Sequence, residues 1–248
     1  MRWRVIGLEE KNAFENMSID EAISESIAKG SSDPTIRFYK WRPGAVSIGR
    51  FQSMLEEVNI EACKNLGVDY IRRVTGGGAV YHDINGEITY SIIGPESSFN
   101  KGIHESYKEI CGYVVNALKA VGIDAVFAPI NDIIVKNKKI SGSAQSRKNG
   151  VLLQHGTILY QTDLKKMFSL LNVSKEKLSD KLIKTAEERV TCVRNENNEI
   201  TIDKLYEELL KSFTLGKEYY FGELLDNEKE LIFPLEEKYK SSEWNFYR

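Results

Sequence analysis

The chain has 248 residues, 42% hydrophobic and 28% charged, with 34 Lys+Arg against 36 Asp+Glu; it can bury a proper core as one large domain or two small ones, and its nearly cancelled charge argues against a dedicated nucleic-acid binder. No apolar run approaches the ~20 residues that span a bilayer, and Met1–Val5 leads straight into Glu9-Glu10-Lys11 without a signal-peptide apolar region. Cys63, Cys111 and Cys192 are odd in number and far apart, which speaks against a disulfide framework or a zinc site and points to a reducing, cytoplasmic setting with no membrane partner.

In chain order, Arg2–Leu8 reads as a strand and Asn16–Lys29 as a helix. Ile19, Ala22, Ile23 and Ile27 share one helix face, Asp20 and Glu21 favour its start, and Gly30 is a stop signal. After a loop at Ser31–Pro34, strands at Ile36–Trp41 and Ala45–Ile48 flank the turn Arg42-Pro43-Gly44. Ile60–Asn65 is a short helix, and Val68–Val74 a strand that delivers the run Arg72-Arg73-Val74-Thr75-Gly76-Gly77-Gly78-Ala79-Val80-Tyr81-His82-Asp83. Ala79–His82 and Glu87–Ile93 pair around Asp83–Gly86, where Asn85-Gly86 marks a hairpin. Ile103–Val121 keeps helical apolar spacing over five turns, with Cys111 on the apolar face.

Strand-like stretches follow at Ala125–Phe127, Asp132–Val135, Ile140–Ala144 and Val151–Tyr160, with polar turns at Lys136–Lys139 and Gln145–Gly150. Helices are expected at Leu164–Leu171 and Lys175–Leu182, an extended segment at Arg189–Val193, an amphipathic helix at Thr201–Phe213, and a charged helix at Asp226–Tyr239 with a break at Pro234. The pattern predicts a single α+β domain in which helices cover a sheet, the charged C-terminal third being the one candidate for a separate layer.

Two stretches carry chemistry. Three consecutive glycines, Gly76 to Gly78, let a ligand approach the backbone and permit positive φ. Their amides can converge on an anion, and the Arg73 guanidinium can add charge at the mouth of the turn. The same residues also suit a surface hairpin turn. The second stretch is Asn131-Asp132, then Lys139-Ile140-Ser141-Gly142-Ser143-Ala144-Gln145, then Gln154-His155-Gly156-Thr157. Small residues beside Lys139 let its amine project into a cleft, and Asp132 suits a ribose hydroxyl or a magnesium ion. Lys139 as a solvated turn lysine and His155 as a half-buried strand histidine are the plainer alternatives.

The ordered set Arg-Arg-x-Thr-Gly-Gly-Gly-Ala-Val-x-His-Asp, Asn-Asp, Lys-x-Ser-Gly-Ser-Ala and His-Gly-Thr resembles that of the lipoate–protein ligase A family. Asn16–Ala22, Val46–Gln52 and Ser242–Phe246 are similar to it as well, so the resemblance spans essentially the whole chain. It implies the biotin and lipoate ligase catalytic fold, related to class II aminoacyl-tRNA synthetases, over residues 1–248. It also implies ATP-dependent attachment of lipoate, through lipoyl-AMP, to a lysine of apo lipoyl domains of 2-oxoacid dehydrogenase E2 subunits or of the glycine-cleavage H protein. ATP and Mg2+ are the implied cofactors.

Carried over by motif, Lys139 is the catalytic cation. Arg73, Gly76, Gly77, Gly78, Ala79, Val80, His82, Asn131, Asp132, Ser141, Gly142, His155 and Thr157 meet the acyl-adenylate, and Asp132 is a possible Mg2+ ligand. Val46, Ile48, Val74 and Val80 are the expected walls of the acyl groove. The chain resembles a large catalytic subunit without the C-terminal accessory domain, which leaves a role for a separate accessory ligase subunit. The alternative is octanoyl or lipoyl transfer from a carrier protein through a cysteine thioester. The octanoyltransferase relatives hold their cysteine just before the Lys-bearing hairpin, but Ala125–Lys138 contains none, and Cys192 is the one cysteine expected near the site.

Overall fold

In the computed structural model, which describes residues 1–99, 102–172 and 188–248, the strands assemble into two sheets. The larger contains β1 (Arg2–Lys11), β2 (Thr35–Trp41), β6 (Glu87–Pro95), β7 (Val126–Ala128), β8 (Asp132–Val135), β9 (Lys138–Lys148), β10 (Val151–Leu159) and β11 (Glu218–Phe221), in the order β11-β1-β2-β6-β10-β9-β8-β7. The smaller contains β3 (Ala45–Ile48), β4 (Asp69–Arg72) and β5 (Val80–His82), with β3 in the middle. β1 runs parallel to β2 and β11, and the other pairs of the large sheet are antiparallel. The architecture is the expected α+β one, a mixed sheet covered by helices.

Two hairpins are tighter than the sequence suggests. The expected turns Lys136–Lys139 and Gln145–Gly150 reduce to Lys136-Asn137 (φ 48° and 66°) and Asn149-Gly150 (φ 53° and 75°). Positive φ at both central residues matches a turn's twist to that of its strands, and Asn and Gly accept it most readily. β9 therefore extends at both ends beyond Ile140–Ala144, and Lys139 lies inside a strand. β11 has no counterpart in the sequence reading, because its residues are largely exposed and show no alternation.

The first helix runs from Ala13 to Ala28, three residues earlier than its apolar pattern indicates. Asn12 and Glu15 form a reciprocal capping box, with Glu15 N donating to Asn12 Oδ1 at 2.9 Å and Asn12 N to Glu15 Oε2 at 3.2 Å. Its Ile19, Ile23 and Ile27 pack on Ile6, Ile93, Val151 and Leu153 of the sheet. The helix Asp226–Lys240 lies beside it and continues through Pro234. It is fastened by a buried Arg4–Glu228 pair at 2.5 Å and by Lys238 and Tyr239 on Glu21, so the C-terminal third is not a separate layer. On the opposite face, the helices Ile103–Ala120 and Ile202–Thr214 cover the main core. The expected helix Lys175–Leu182 lies outside the described residues. Among those residues, no helix is long and apolar enough to cross a membrane.

The small sheet has its own core of Val46, Ile48, Met54, Val58, Cys63 and Leu170. Arg72, fully buried, ties it to the C-terminal segment. Its guanidinium donates to the carbonyls of Gly49, Arg50 and Gln52 on one side and of Trp244 and Asn245 on the other. Asn245 Oδ1 accepts from Arg72 N at 2.8 Å, and Trp244 Nε1 donates to Arg72 O at 2.7 Å.

Candidate active site

The glycine turn leaves β4 between the two sheets, and Arg73 builds it from inside. Five protein oxygens meet the five N–H donors of its guanidinium: Thr75 Oγ1 at Nε (3.1 Å), Ser47 O and Oγ at Nη1 (3.2 and 3.3 Å), and the carbonyls of Gly76 and Gly78 at Nη2 (2.7 and 2.9 Å). The expectation that this fork reaches out to an anion is therefore revised, since the fork shapes the turn and only its charge faces the cavity. Burial lowers the Arg73 pKa to about 10, which leaves the group cationic at neutral pH. None of the five acceptors is a carboxylate. The amides of Gly76, Gly77 and Gly78 have no acceptor among the described residues, so the turn presents free donors beside a buried positive charge. Gly77 takes φ +93°, and Gly49 packs so closely that an added Cβ would lie 2.0 Å from Gly77 O.

Two carboxylate–histidine–hydroxyl chains end at this guanidinium. In one, Asp20 Oδ2 lies 3.5 Å from His155 Nδ1, and His155 Nε2 lies 2.8 Å from Thr75 Oγ1. In the other, Glu87 Oε1 lies 2.7 Å from His82 Nδ1, and His82 Nε2 lies 2.8 Å from Ser47 Oγ. A carboxylate at Nδ1 selects the tautomer with its proton there and leaves Nε2 to accept from the hydroxyl. Trp41 stacks on the His82 ring at 3.9 Å and donates to Thr89, which donates to Glu87 Oε1. Asp20 also accepts from Arg37, Tyr39 and Ser91. Burial raises the Asp20 pKa, but the hydrogen bond from His155 and the Arg37 charge outweigh it, and the carboxyl stays below its usual range.

Burial also holds His155 below its ordinary value of 6.5, against the hydrogen bond and charge of Asp20. The unfolded chain therefore takes up a proton near 6.5 that the folded chain still refuses. The stability from a neutral His155 is present above 6.5 and is lost as pH falls through the folded value. Urea midpoints should drop on acidification below that point, with a limiting slope of about 1.4 kcal/mol per pH unit from this group. His155→Gln should flatten that slope; an unchanged slope would contradict the assignment.

Across the cavity, Lys139 Nζ meets Asp132 Oδ1 at 2.7 Å, with both side chains partly exposed. The backbone of Lys139 is held by Arg189 O and by Thr191 N, each at 2.8 Å, as an extra extended segment pairs with β9. Gly142 supplies the seat for its amine, since a Cβ there would lie 2.8 Å from both Cε and Nζ of Lys139. Asn131 is braced on the carbonyl of Ser143.

Arg73, Gly77, Gly78, Ala79, Val80, His82, Asn131, Lys139, Gly142, His155 and Thr157 all line one cavity of about 340 Å3 between the sheets. Its apolar wall comes from Met17, Tyr39, Trp41, Leu159, Met167 and Leu171. Three expected site residues stand off the wall. Gly76 contributes through the turn, Asp132 through Lys139, and the Ser141 hydroxyl is buried without a partner among the described residues. The expected groove residues Val46 and Ile48 face the small core and Val74 packs with other core clusters, so only Val80 of that set lines the cavity. Sequence reasoning missed Ser47, Thr75, Asp20 as a site group, Glu87 and Trp41. The available signal was polar residues inside apolar periodic runs.

No cysteine lines the cavity. Cys192 is 5% exposed and opens the short helix Val193–Glu196, where its carbonyl accepts from Asn195 and Glu196. Cys111 lies behind Ser143 at 3.6 Å, and Cys63 lies in the small core. Burial pushes both of these thiols up to about 11, which keeps them protonated and unreactive at neutral pH.

Residues 12–214 match the family described as the lipoyl protein ligase A/B catalytic domain. Among curated proteins, the chain is 38% identical to octanoyltransferase LipM of Clostridioides difficile (strain 630), over 98% of each chain. It is 34% identical to that of Staphylococcus aureus (strain NCTC 8325 / PS 47), also over 98% of each. Among solved structures, a bipartite lipoate protein ligase from Thermoplasma acidophilum, described with its E2 lipoyl domain, superposes with a TM-score of 0.88 at 33% identity, over 99% of this chain and 96% of that one. A lipoate-protein ligase A bound with ATP gives 0.84 at 31% identity, over 99% of each chain.

Proposed function

The chain belongs to the lipoyl protein ligase A/B catalytic domain family, and on that premise we propose that it transfers an octanoyl group from a carrier-protein thioester to the ε-amine of a lysine on a lipoyl domain or H protein. The similarity to octanoyltransferases along nearly the full length of both chains carries this reading. The cavity agrees with it. Its apolar wall suits a medium hydrocarbon chain, at roughly 0.8 kcal/mol per buried CH2. Lys139, held by Asp132 over Gly142, is available to the oxyanion that forms when the amine adds to the acyl carbonyl. In that reaction a C–N bond forms, the C–S bond breaks, and the proton of the amine goes to the leaving sulfur. A thioester on Cys192, the route considered from the sequence, is disfavoured because no thiol lines the cavity.

ATP-dependent lipoate ligation is the second reading, favoured by the ligase superpositions and by the buried Arg73 charge that faces the cavity without a carboxylate. ATP, magnesium and an accessory subunit enter only here. Asp132 is already paired with Lys139, and no three His, Cys, Asp or Glu side chains converge among the described residues. Magnesium would therefore be held mainly by the nucleotide's phosphates.

The test is the intact mass of an apo lipoyl domain after incubation with the chain and one of three donors: an octanoylated carrier protein without ATP, lipoate with ATP and magnesium, or preformed lipoyl-AMP. The expected result is an octanoyl gain in the first. Gain only with lipoate and ATP replaces transfer by ligation. Gain only with lipoyl-AMP means a ligase subunit whose activation step lies elsewhere.

A further inference from the structure

We propose, building on the transfer reading, that Ser47 is the nucleophile of this site and carries the acyl group as an oxygen ester between donor and acceptor. The cysteine route considered from the sequence has no thiol to use in this cavity, whereas a hydroxyl sits there in a serine–histidine–glutamate relay. Ser47 and His82 are diagonal neighbours on one face of the small sheet, because β3 and β5 pair Ala45 with His82 and Ser47 with Val80. Glu87 comes from the large sheet, so the relay spans the cleft between the two. Its separations, 2.8 Å from hydroxyl to imidazole and 2.7 Å from imidazole to carboxylate, lie within the range of an activated nucleophile with an oriented base.

Three surroundings favour chemistry at this hydroxyl. Both Ser47 and His82 line the cavity. Trp41 stacked on the imidazole and Thr89 on the carboxylate fix the orientation of the base. Arg73 Nη1, 3.3 Å from Ser47 Oγ, places positive charge against the oxygen that must lose its proton. The second relay shares the Arg73 contact, Nε meeting Thr75 Oγ1 at 3.1 Å, and His155 lines the cavity, but its hydroxyl does not. Thr75 is fully buried, does not line the cavity, and its histidine–carboxylate separation is 3.5 Å. Its hydroxyl supports Arg73 from behind the cavity wall.

In the first half-reaction, Ser47 Oγ adds to the thioester carbonyl as its proton passes to His82 Nε2. The C–S bond breaks, and the departing sulfur takes that proton. In the second, the neutral amine of the acceptor lysine adds to the ester carbonyl. The C–O bond breaks, and the proton lost by nitrogen returns through His82 to Ser47 Oγ. One thioester and one amine become one amide and one thiol, with no oxidant, reductant or further reactant.

The experiment is acid-quenched incubation of the whole chain with octanoylated carrier protein and no acceptor, read by intact mass and peptide mapping. The wild type should gain one octanoyl group on the Ser47 peptide, stable to neutral hydroxylamine, which cleaves thioesters. Ser47→Ala should lose the adduct, with circular dichroism checking its fold. Ser47→Cys should regain an adduct, now labile to neutral hydroxylamine. Should Ser47→Ala fail to fold, the wild-type map still decides. An adduct on Cys63, Cys111 or Cys192 overturns the proposal. So does octanoyl transfer to the acceptor with no adduct on the chain, in which case the transfer reading stands and the ester does not. Absence of any transfer from the carrier, with lipoate and ATP active, removes the transfer reading itself.

Discussion

Lys139→Ala should lower the turnover of acyl transfer by about 10²- to 10³-fold, the usual effect of removing one preorganised donor to a developing oxyanion. The amine is the side-chain cation seated on Gly142 in the cavity wall, and Asp132 fixes it without burying it. A partly exposed ion pair contributes only about 0–1 kcal/mol to folding, so the melting temperature should hardly move. In the proposed transfer the acyl chain is buried by the apolar wall, of which Met17, Trp41 and Leu171 are part, rather than by the amine, so KM for the donor should change little. Steady-state kinetics with an octanoylated carrier and an apo lipoyl domain separate these effects. An unchanged turnover would make Lys139 a solvated strand lysine and remove it from the mechanism.

Gly49→Ala should be severe in both stability and activity. An added methyl carbon would fall 2.0 Å from Gly77 O and about 3 Å from the carbonyl carbons of Gly76 and Gly77, so backbone must move. Overpacking of this kind costs roughly 1–3 kcal/mol or more. The displaced segment is the turn that presents the free amides, and a shift of about 1 Å in a positioning element can cost about 10²-fold in rate. Gly112→Ala is the matched control. Its methyl meets nothing within 4 Å in the helix Ile103–Ala120, and it should stabilise the chain by about 0.5–1 kcal/mol. Urea unfolding and transfer rates for the two variants, side by side, test the idea that it is the position of a glycine, and not the loss of glycine as such, that governs the turn. Equal behaviour of the pair would sink it.

The parts of the site that were legible in the sequence are those with unusual local demands. Three adjacent glycines and a lysine followed by small residues are costly to place anywhere, and both stretches meet at one cavity. The hydrogen-bond relays were not legible, because each joins distant segments: Asp20 of the first helix with His155 of β10, and Ser47 of β3 with His82 of β5, which pairs with β3 and not, as expected, in a hairpin with Glu87–Ile93 of the large sheet. Asp20 read as a helix-start charge, although the helix begins at Ala13 and turns that carboxylate inward. The start itself was written in Asn12 and Glu15, a spacing that apolar periodicity ignores. The groove guess failed at Val46 and Ile48 because alternation along a strand gives two faces but does not say which one meets the ligand.

The clamp at Arg72 ties the folding of the cleft to a distant segment. The carbonyls of Gly49, Arg50 and Gln52 reach Trp244 and Asn245 through this one guanidinium, so the loop that backs the glycine turn closes only when a segment more than 170 residues further on arrives. Pairings of such long sequence separation form late and slowly. The backing of the glycine turn is thus completed only by the docking of Trp244 and Asn245.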